Sequence, residues 1–271
     1  MSKPTDLLSR FSFHTLPFTR EIPVEERFAL EAFDQPLEHL HRAVQKRMSA
    51  ALIAPAGTGK TALLRALVAR LPETRYRVHY VKVTDLSKRE LCREISATLG
   101  TESSGTYPVL LRRLQQRFAN DFNTEGLRPV MLIDEAHDIR PEVLGILRIL
   151  TNFDMDSRLV VSFVLAGQPP LKRLLNHEKL QDVAHRLAHY ATLRLLSRKE
   201  LSHYVHHRCR IAGSTSCPFD PGALEALYEV GRGNLRATDH LALKALEAAH
   251  DADCDVLDSN HIIEARRMLW A

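Results

Sequence analysis

Ala54-Pro55-Ala56-Gly57-Thr58-Gly59-Lys60-Thr61 stands directly behind an apolar run at 50–54 and opens a helical pattern over 61–71. Strand, glycine-bearing turn and helix in that order are the context a phosphate-binding loop needs. Gly57 and Gly59 let the backbone curl so that successive N–H groups face an anion, and the next helix presents its positive end. Pro55, Ala56, Gly57, Thr58 and Gly59 then form the cradle. Lys60 reaches the β and γ phosphates, and the Thr61 hydroxyl holds Mg²⁺. Ala54 stands where the first glycine of G-x-x-x-x-G-K-[ST] belongs, a place it can fill only with negative φ. The alternative is an ordinary glycine turn before a helix. With 11 glycines in 271 residues, a chance Gly-Thr-Gly-Lys-Thr at such a junction is the poorer account.

Outward from the loop, short apolar segments at 50–54, 77–83, 129–133, 159–166 and 190–195 alternate with amphipathic helical stretches. That pattern predicts an α/β fold with a five-stranded parallel sheet covered by helices. Ser87 with Glu90, and Ser197 with Glu200, have the spacing of capping boxes, and Gly100 and Gly213 end the helices they open. Asp220-Pro221 caps another helix. No strand pattern follows residue 196, so the expected organisation is an irregular arm over 1–28, an α/β domain over 29–195 and a helical lid over 196–271.

A second motif strengthens the first. Val130-Met131-Leu132-Ile133 runs into Asp134-Glu135-Ala136-His137, placing two carboxylates at the carboxyl end of a strand, the edge at which open α/β sheets bind ligands. Asp134 is the expected Mg²⁺ partner, and Glu135 the residue that positions or activates the attacking water. Two solvated acids at a strand end are the alternative, a weaker one where a phosphate-binding loop lies one strand upstream.

These motifs, with Val164-Leu165-Ala166-Gly167-Gln168-Pro169, Ala184-His185-Arg186-Leu187 and Gly231-Arg232-Gly233-Asn234-Leu235-Arg236, resemble the AAA+ ATPases. The branch is that of transposition regulators and secretion ATPases, the TniB, TnsC and ExeA-like proteins. The resemblance extends over nearly the whole chain and implies a P-loop NTPase fold with a C-terminal helical lid, binding ATP with Mg²⁺ and hydrolysing it. It implies that Gln168 senses the γ phosphate, with a turn residue before Pro169 as the equal alternative. Arg186 matches the arginine that reaches the nucleotide of a neighbouring subunit, against a plain surface arginine. Arg236 matches the lid arginine over the phosphates, a role nearby Arg232 can exchange with it. Lys82, Thr84, Lys88 and Arg89 fall where DNA-encircling relatives line their channel, or else form a solvated helix start.

The remaining composition is permissive. Net charge is +4, and only 9 of the 37 basic residues are Lys, the rest being Arg, whose planar fork suits phosphate. No apolar run approaches the ~20 residues of a membrane span, and no secretory signal opens the chain. The expectation is therefore a cytoplasmic protein without a membrane partner. Cys92, Cys209, Cys217 and Cys254 lack zinc spacing, and His203, His206 and His207 read as one helix face rather than a metal site. No G-x-S-x-G elbow supports a hydrolase triad.

The resemblance implies a homo-oligomer, ring or helical filament, on double-stranded DNA that regulates a transposase by selecting its target. The chain ends just past the lid, where secretion relatives continue into a membrane segment. The alternatives are a secretion ATPase and a nucleotide-dependent signalling or scaffold module that binds no DNA.

Overall fold

The structure, a computed structural model, describes residues 6 to 269. The described residues form two units, one over residues 31–55 and 60–193, the other joining the segment up to Leu30, Ala56–Gly59 and the chain from Arg194 onward.

The first unit is built on five parallel strands, β1 (Ser49–Ile53), β2 (Tyr76–Lys82), β3 (Arg128–Asp134), β4 (Ser162–Gly167) and β5 (Leu187–Thr192), in the spatial order β2-β3-β4-β1-β5. The central strands β1 and β4 are buried at every position, and β3 at all but its first. They carry the unbroken apolar runs that made them legible. Of the edge strands, β5 alternates more and less buried residues, whereas β2 fully buries only Tyr76 and Val81.

Two strands correct the sequence reading. The apolar run at 159–166 enters the sheet only at Ser162, the residue paired with Val130. The last strand is not 190–195 but begins three residues earlier, where Leu187 pairs with Ser49. An edge strand needs only alternate apolar residues, so Leu187, followed by exposed Ala188 and polar His189, does not announce its start.

Helices α1 (Glu31–Gln45), α2 (Lys60–Ala69), α3 (Lys88–Thr98) and α4 (Tyr107–Asn123) flank the sheet. Helix α1 packs on β1 and β5, α3 on β2, and α4 on β3. Ser87 and Glu90 form the reciprocal capping box that starts α3. Phe118 of α4 meets Phe163 of β4 edge-on at 6.3 Å in the core.

The second unit is helical. Helices α5 (Arg198–Ile211), α6 (Pro221–Gly231), α7 (Leu235–Asp251) and α8 (Ser259–Leu269) surround a core that also takes Phe11, Phe13 and Phe18 from the amino-terminal segment. Arg194 and the capping box with Ser197 hold Glu200 down at about 2. Gly233 is required where it stands. Its φ is +75°, and a Cβ there would fall 2.0 Å from the Leu196 carbonyl oxygen.

Arg208 pins the amino-terminal segment. Its buried guanidinium donates to the Thr19 carbonyl at 2.7 Å, to the Tyr204 hydroxyl at 2.8 Å and to Asp239 at 3.3 Å, and lies 5.5 Å from the Phe18 ring centroid. The Tyr204 hydroxyl donates to Asp239 at 2.7 Å. Burial raises the Asp239 carboxyl to about 6, with Arg208 opposing.

Removing one member of a buried charge pair strands the other, so Arg208→Met should cost about 3–5 kcal/mol in urea unfolding. The folded chain holds the Asp239 proton more tightly than the unfolded chain does. Ionisation of Asp239 therefore weakens the fold as the pH rises from about 4 through about 6. The stability of Asp239→Asn should lack that downward component when compared with the parent at pH 4.5 and pH 7.

Candidate nucleotide site

A parallel sheet brings the ends of its strands to a common edge. Ile53 pairs with Gly167 and Thr192, Ile133 with Leu165, and Lys82 with Asp134. The start of the phosphate-loop motif, the Asp134-Glu135 pair and Gln168 thus all stand at the carboxyl edge. The Ala54 N–H donates to the Gly167 carbonyl at 2.9 Å, tying the loop's first residue to the end of β4. Ala54 is fully buried and is absent from the residues with left-handed backbone. Gly57 and Gly59 take φ of +75° and +91°.

Lys60, first residue of α2, is 9% exposed and points its ammonium at two carboxylates, 2.6 Å from Asp134 Oδ1 and 2.9 Å from Glu135 Oε1. Asp134 is 3% exposed. Its Oδ1 also accepts the Glu135 N–H at 2.8 Å, and its Oδ2 accepts the Tyr80 hydroxyl at 2.9 Å. Glu135 has φ +56°, ψ +32°, a left-handed backbone that a residue with a Cβ adopts at a cost, and such strain gathers at functional sites. His137 Nδ1 lies 3.4 Å from Glu135 Oε2. Thr61 is exposed beside Lys60 in the first turn of α2.

Tyr80 is the member that sequence reasoning missed. Its hydroxyl reaches Asp134 because β2 lies next to β3, an adjacency no periodicity states. Burial first, and the Asp134 charge second, push the phenol up to about 12.

In the helical unit, the cradle residues Ala56 and Gly57 meet the start of α7. Asn234 caps that helix by accepting the Ala237 N–H at 3.1 Å, and its amide donates to the Ala56 carbonyl at 2.8 Å. The Arg236 N–H donates to the Gly57 carbonyl at 3.2 Å. A Cβ on Gly57 would sit 2.2 Å from Asn234 Oδ1. Ala56, Gly57, Arg232, Arg236, His240 and Arg266 are among the residues lining a cavity of about 770 Å³. Arg232 and Arg236 are thus both present, on the same cavity.

The remaining candidates make no side-chain hydrogen bond or ion pair to Lys60, Asp134 or Glu135 among the described residues. Gln168 is half-buried, one residue past β4. Arg186 immediately precedes β5, at the amino edge of the sheet, and forms a bidentate ion pair with Asp156. Lys82 and Thr84 are exposed at and beyond the end of β2, and Lys88 and Arg89 in the first turn of α3, where Arg89 Nε donates to the Gly105 carbonyl at 3.0 Å. Arg140, unread in the sequence, pairs with Asp85 at 3.1 Å beside them.

Residues 41–175 match the model of the AAA domain family. The chain carries an AAA domain. General secretion pathway protein A of Aeromonas hydrophila is 29% identical over 242 residues, 88% of this chain and 44% of that protein. The chain therefore spans less than half the length of this curated relative. Among solved structures, Cdc6p of Pyrobaculum aerophilum superposes with a TM-score of 0.76 at 16% identity, over 93% of this chain and 70% of that one. The Aeropyrum pernix ORC1 protein in complex with DNA gives 0.68 at 19%, over 92% and 68%. At these identities the likeness is one of fold, the P-loop NTPase α/β fold.

The donor set suits a triphosphate with Mg²⁺. Hydroxyl and carboxylate oxygens from Thr61 and Asp134 are hard ligands, and Mg²⁺ typically takes only one or two from protein, the rest from phosphates and water. Among the described residues no three His, Cys, Asp or Glu side chains converge as a self-sufficient metal cage.

Tyr80→Phe removes one donor to a carboxylate and should lower stability by about 1–2 kcal/mol in urea unfolding. The same variant should lose the tyrosinate absorbance step near pH 12 in spectrophotometric titration.

Proposed function

We propose that the protein is an AAA+ ATPase whose bound ATP joins copies of the chain, and whose hydrolysis releases them. The supporting observation is the separation of charge across the sheet. Lys60, Asp134 and Glu135 converge at the carboxyl edge, while Arg186 stands at the amino edge. A five-residue strand at ~3.3 Å per residue spaces those edges by ~16 Å. Arg186 is thus badly placed for its own chain's phosphates and is available to those of another copy.

In this reading the loop from Pro55 to Gly59 cradles the phosphates with its backbone, and Lys60 turns from Asp134 and Glu135 to the β and γ oxygens. Thr61 and Asp134 hold Mg²⁺, which neutralises charge on the phosphates. Glu135, freed from Lys60, orients the attacking water and accepts its proton; Gln168 contacts the γ phosphate. Arg236 approaches from the start of α7, beside Gly57. Arg186 of a second copy stabilises the charge developing on the transferred group. The arm, α/β domain and lid with boundaries near 28 and 195 are the working division of the chain.

For the partner, the reading is a ring or filament on double-stranded DNA that selects targets for a transposase in the cytoplasm. Exposed Lys82, Thr84, Lys88 and Arg89 support it, as a basic surface able to meet a phosphate backbone. A second reading, a secretion ATPase, is favoured by the identity to general secretion pathway protein A over 88% of the chain. Among the described residues no helix is long and apolar enough to cross a membrane.

Lys60→Ala should abolish ATP binding, whereas Glu135→Gln should bind ATP and lose about 10²–10⁴-fold in turnover. Mixing Lys60→Ala with Arg186→Ala protein should restore activity that neither has alone, and failure to do so ends the shared-site reading. Electron microscopy with duplex DNA and a slowly hydrolysed ATP analogue decides the partner. DNA-dependent assemblies whose affinity falls steeply with salt support the DNA reading, and assemblies indifferent to DNA support the secretion one.

A further inference from the structure

The contact between Arg186 and Asp156 comes from a backbone bent at some cost. Asp154, Met155 and Asp156 take φ of +49°, +57° and +68° in succession. Left-handed residues other than glycine cost ~1–3 kcal/mol each and persist only where the surroundings impose them. Here they are imposed. Phe153 and Arg158 form an antiparallel bridge, Asn152 Oδ1 accepts the Asp156 N–H at 3.0 Å, and the Ser157 hydroxyl donates to the Asp154 carbonyl at 2.7 Å. Arg158 pairs with Asp154 at 3.4 Å, donates to Asn123 Oδ1, and lies 5.0 Å from the Phe122 ring centroid.

The outcome is a hydrogen-bonded turn with Met155, 97% exposed, at its tip and the Asp156 carboxylate facing Arg186. Arg186 Nη2 donates to Asp156 Oδ2 at 2.7 Å and Nη1 to Oδ1. The guanidinium in turn holds the Asp156 carboxyl below its ordinary value. Asp156 precedes β4 and Arg186 precedes β5, so both belong to the amino edge of the sheet.

We propose that Asp156 is a positioning residue for Arg186, holding its guanidinium in cis until a phosphate oxygen of a second copy's bound nucleotide takes its place. The proposal rests on the reading of Arg186 as acting across copies. Carboxylate and phosphate present the same two-oxygen face to the guanidinium fork, so one face cannot serve both at once. An exposed ion pair is worth ~0.2–1 kcal/mol. The pair is therefore strong enough to set the concentration at which copies engage, and too weak to prevent engagement. The strained turn fixes the carboxylate, and with it the plane in which the guanidinium waits.

The test measures ATP turnover against protein concentration. Asp156→Asn keeps the shape and removes the competing charge. It should lower the concentration of half-maximal turnover about 1.4- to 5-fold, the factor that pair strength allows. Asp156→Glu should return it towards the parent value. Arg186→Ala protein should not turn over alone, so in that background the midpoint is that of nucleotide-dependent self-association in sedimentation, and the Asn substitution should leave it unshifted. An unchanged midpoint for Asp156→Asn, or the same shift with Arg186 absent, overturns the proposal. A purely structural role would appear as lost thermal stability with no change in midpoint, and counts against it. If the shared-site reading is itself wrong, the mixed Lys60→Ala and Arg186→Ala proteins stay inactive and turnover per chain is independent of concentration. That outcome is distinct from a concentration-dependent parent that ignores Asp156.

Discussion

The buried meeting of Lys60 with Asp134 and Glu135 is the constraint around which the α/β unit is arranged. One ammonium and two carboxylates, taken largely out of water, are tolerable only with close geometry and further hydrogen bonds. The fold provides close geometry throughout and the hydrogen bonds for Asp134, while Glu135 Oε2 has no hydrogen-bond partner among the described residues. Tyr80 and the Glu135 amide occupy the remaining Asp134 oxygen positions, and Glu135 accepts a left-handed backbone so that its carboxylate joins the group. Such a cluster is also suited to exchange. A ligand bringing anionic phosphates with a divalent cation offers Lys60 and the carboxylates new partners of the right sign together, so no charge is left unpaired in a low-dielectric setting.

The parallel sheet turns that cluster into a directional device. Every strand delivers its carboxyl end to one edge, which gathers the loop, the acids and Gln168. Every strand starts from the other edge, which carries Arg186 and the strained turn around Met155. Under the proposed reading, in which Arg186 serves a second copy, the two edges would meet head to tail, the arrangement that yields rings when it closes and filaments when it does not.

The helical unit shows the same economy of charge. Arg208, Asp239 and Tyr204 satisfy one another and fasten the Thr19 carbonyl, while Phe11, Phe13 and Phe18 join the apolar core. The amino-terminal segment is thereby part of the helical unit's packing. Asn234 has two tasks, capping α7 and binding the Ala56 carbonyl, which explains why Gly57 must lack a side chain.

Local chemistry was readable from the chain. Gly57, Gly59 and Lys60 announce a phosphate loop by spacing, Ser87 with Glu90 and Ser197 with Glu200 announce helix starts, and the apolar runs of β1 and β3 announce buried parallel strands. These signals depend only on residues within a few positions of one another. Strand order is another matter, because the pairing of β2 with β3 and of β1 with β4 joins segments far apart in the chain. That order made Tyr80 a partner of Asp134, hid the true start of β5 behind the polar alternation of an edge, and set Asp156 against Arg186. Sequence therefore determined which chemical groups are present and the local shapes they take, while tertiary structure decided which groups meet, since only the folded sheet converts separation along the chain into distance in space.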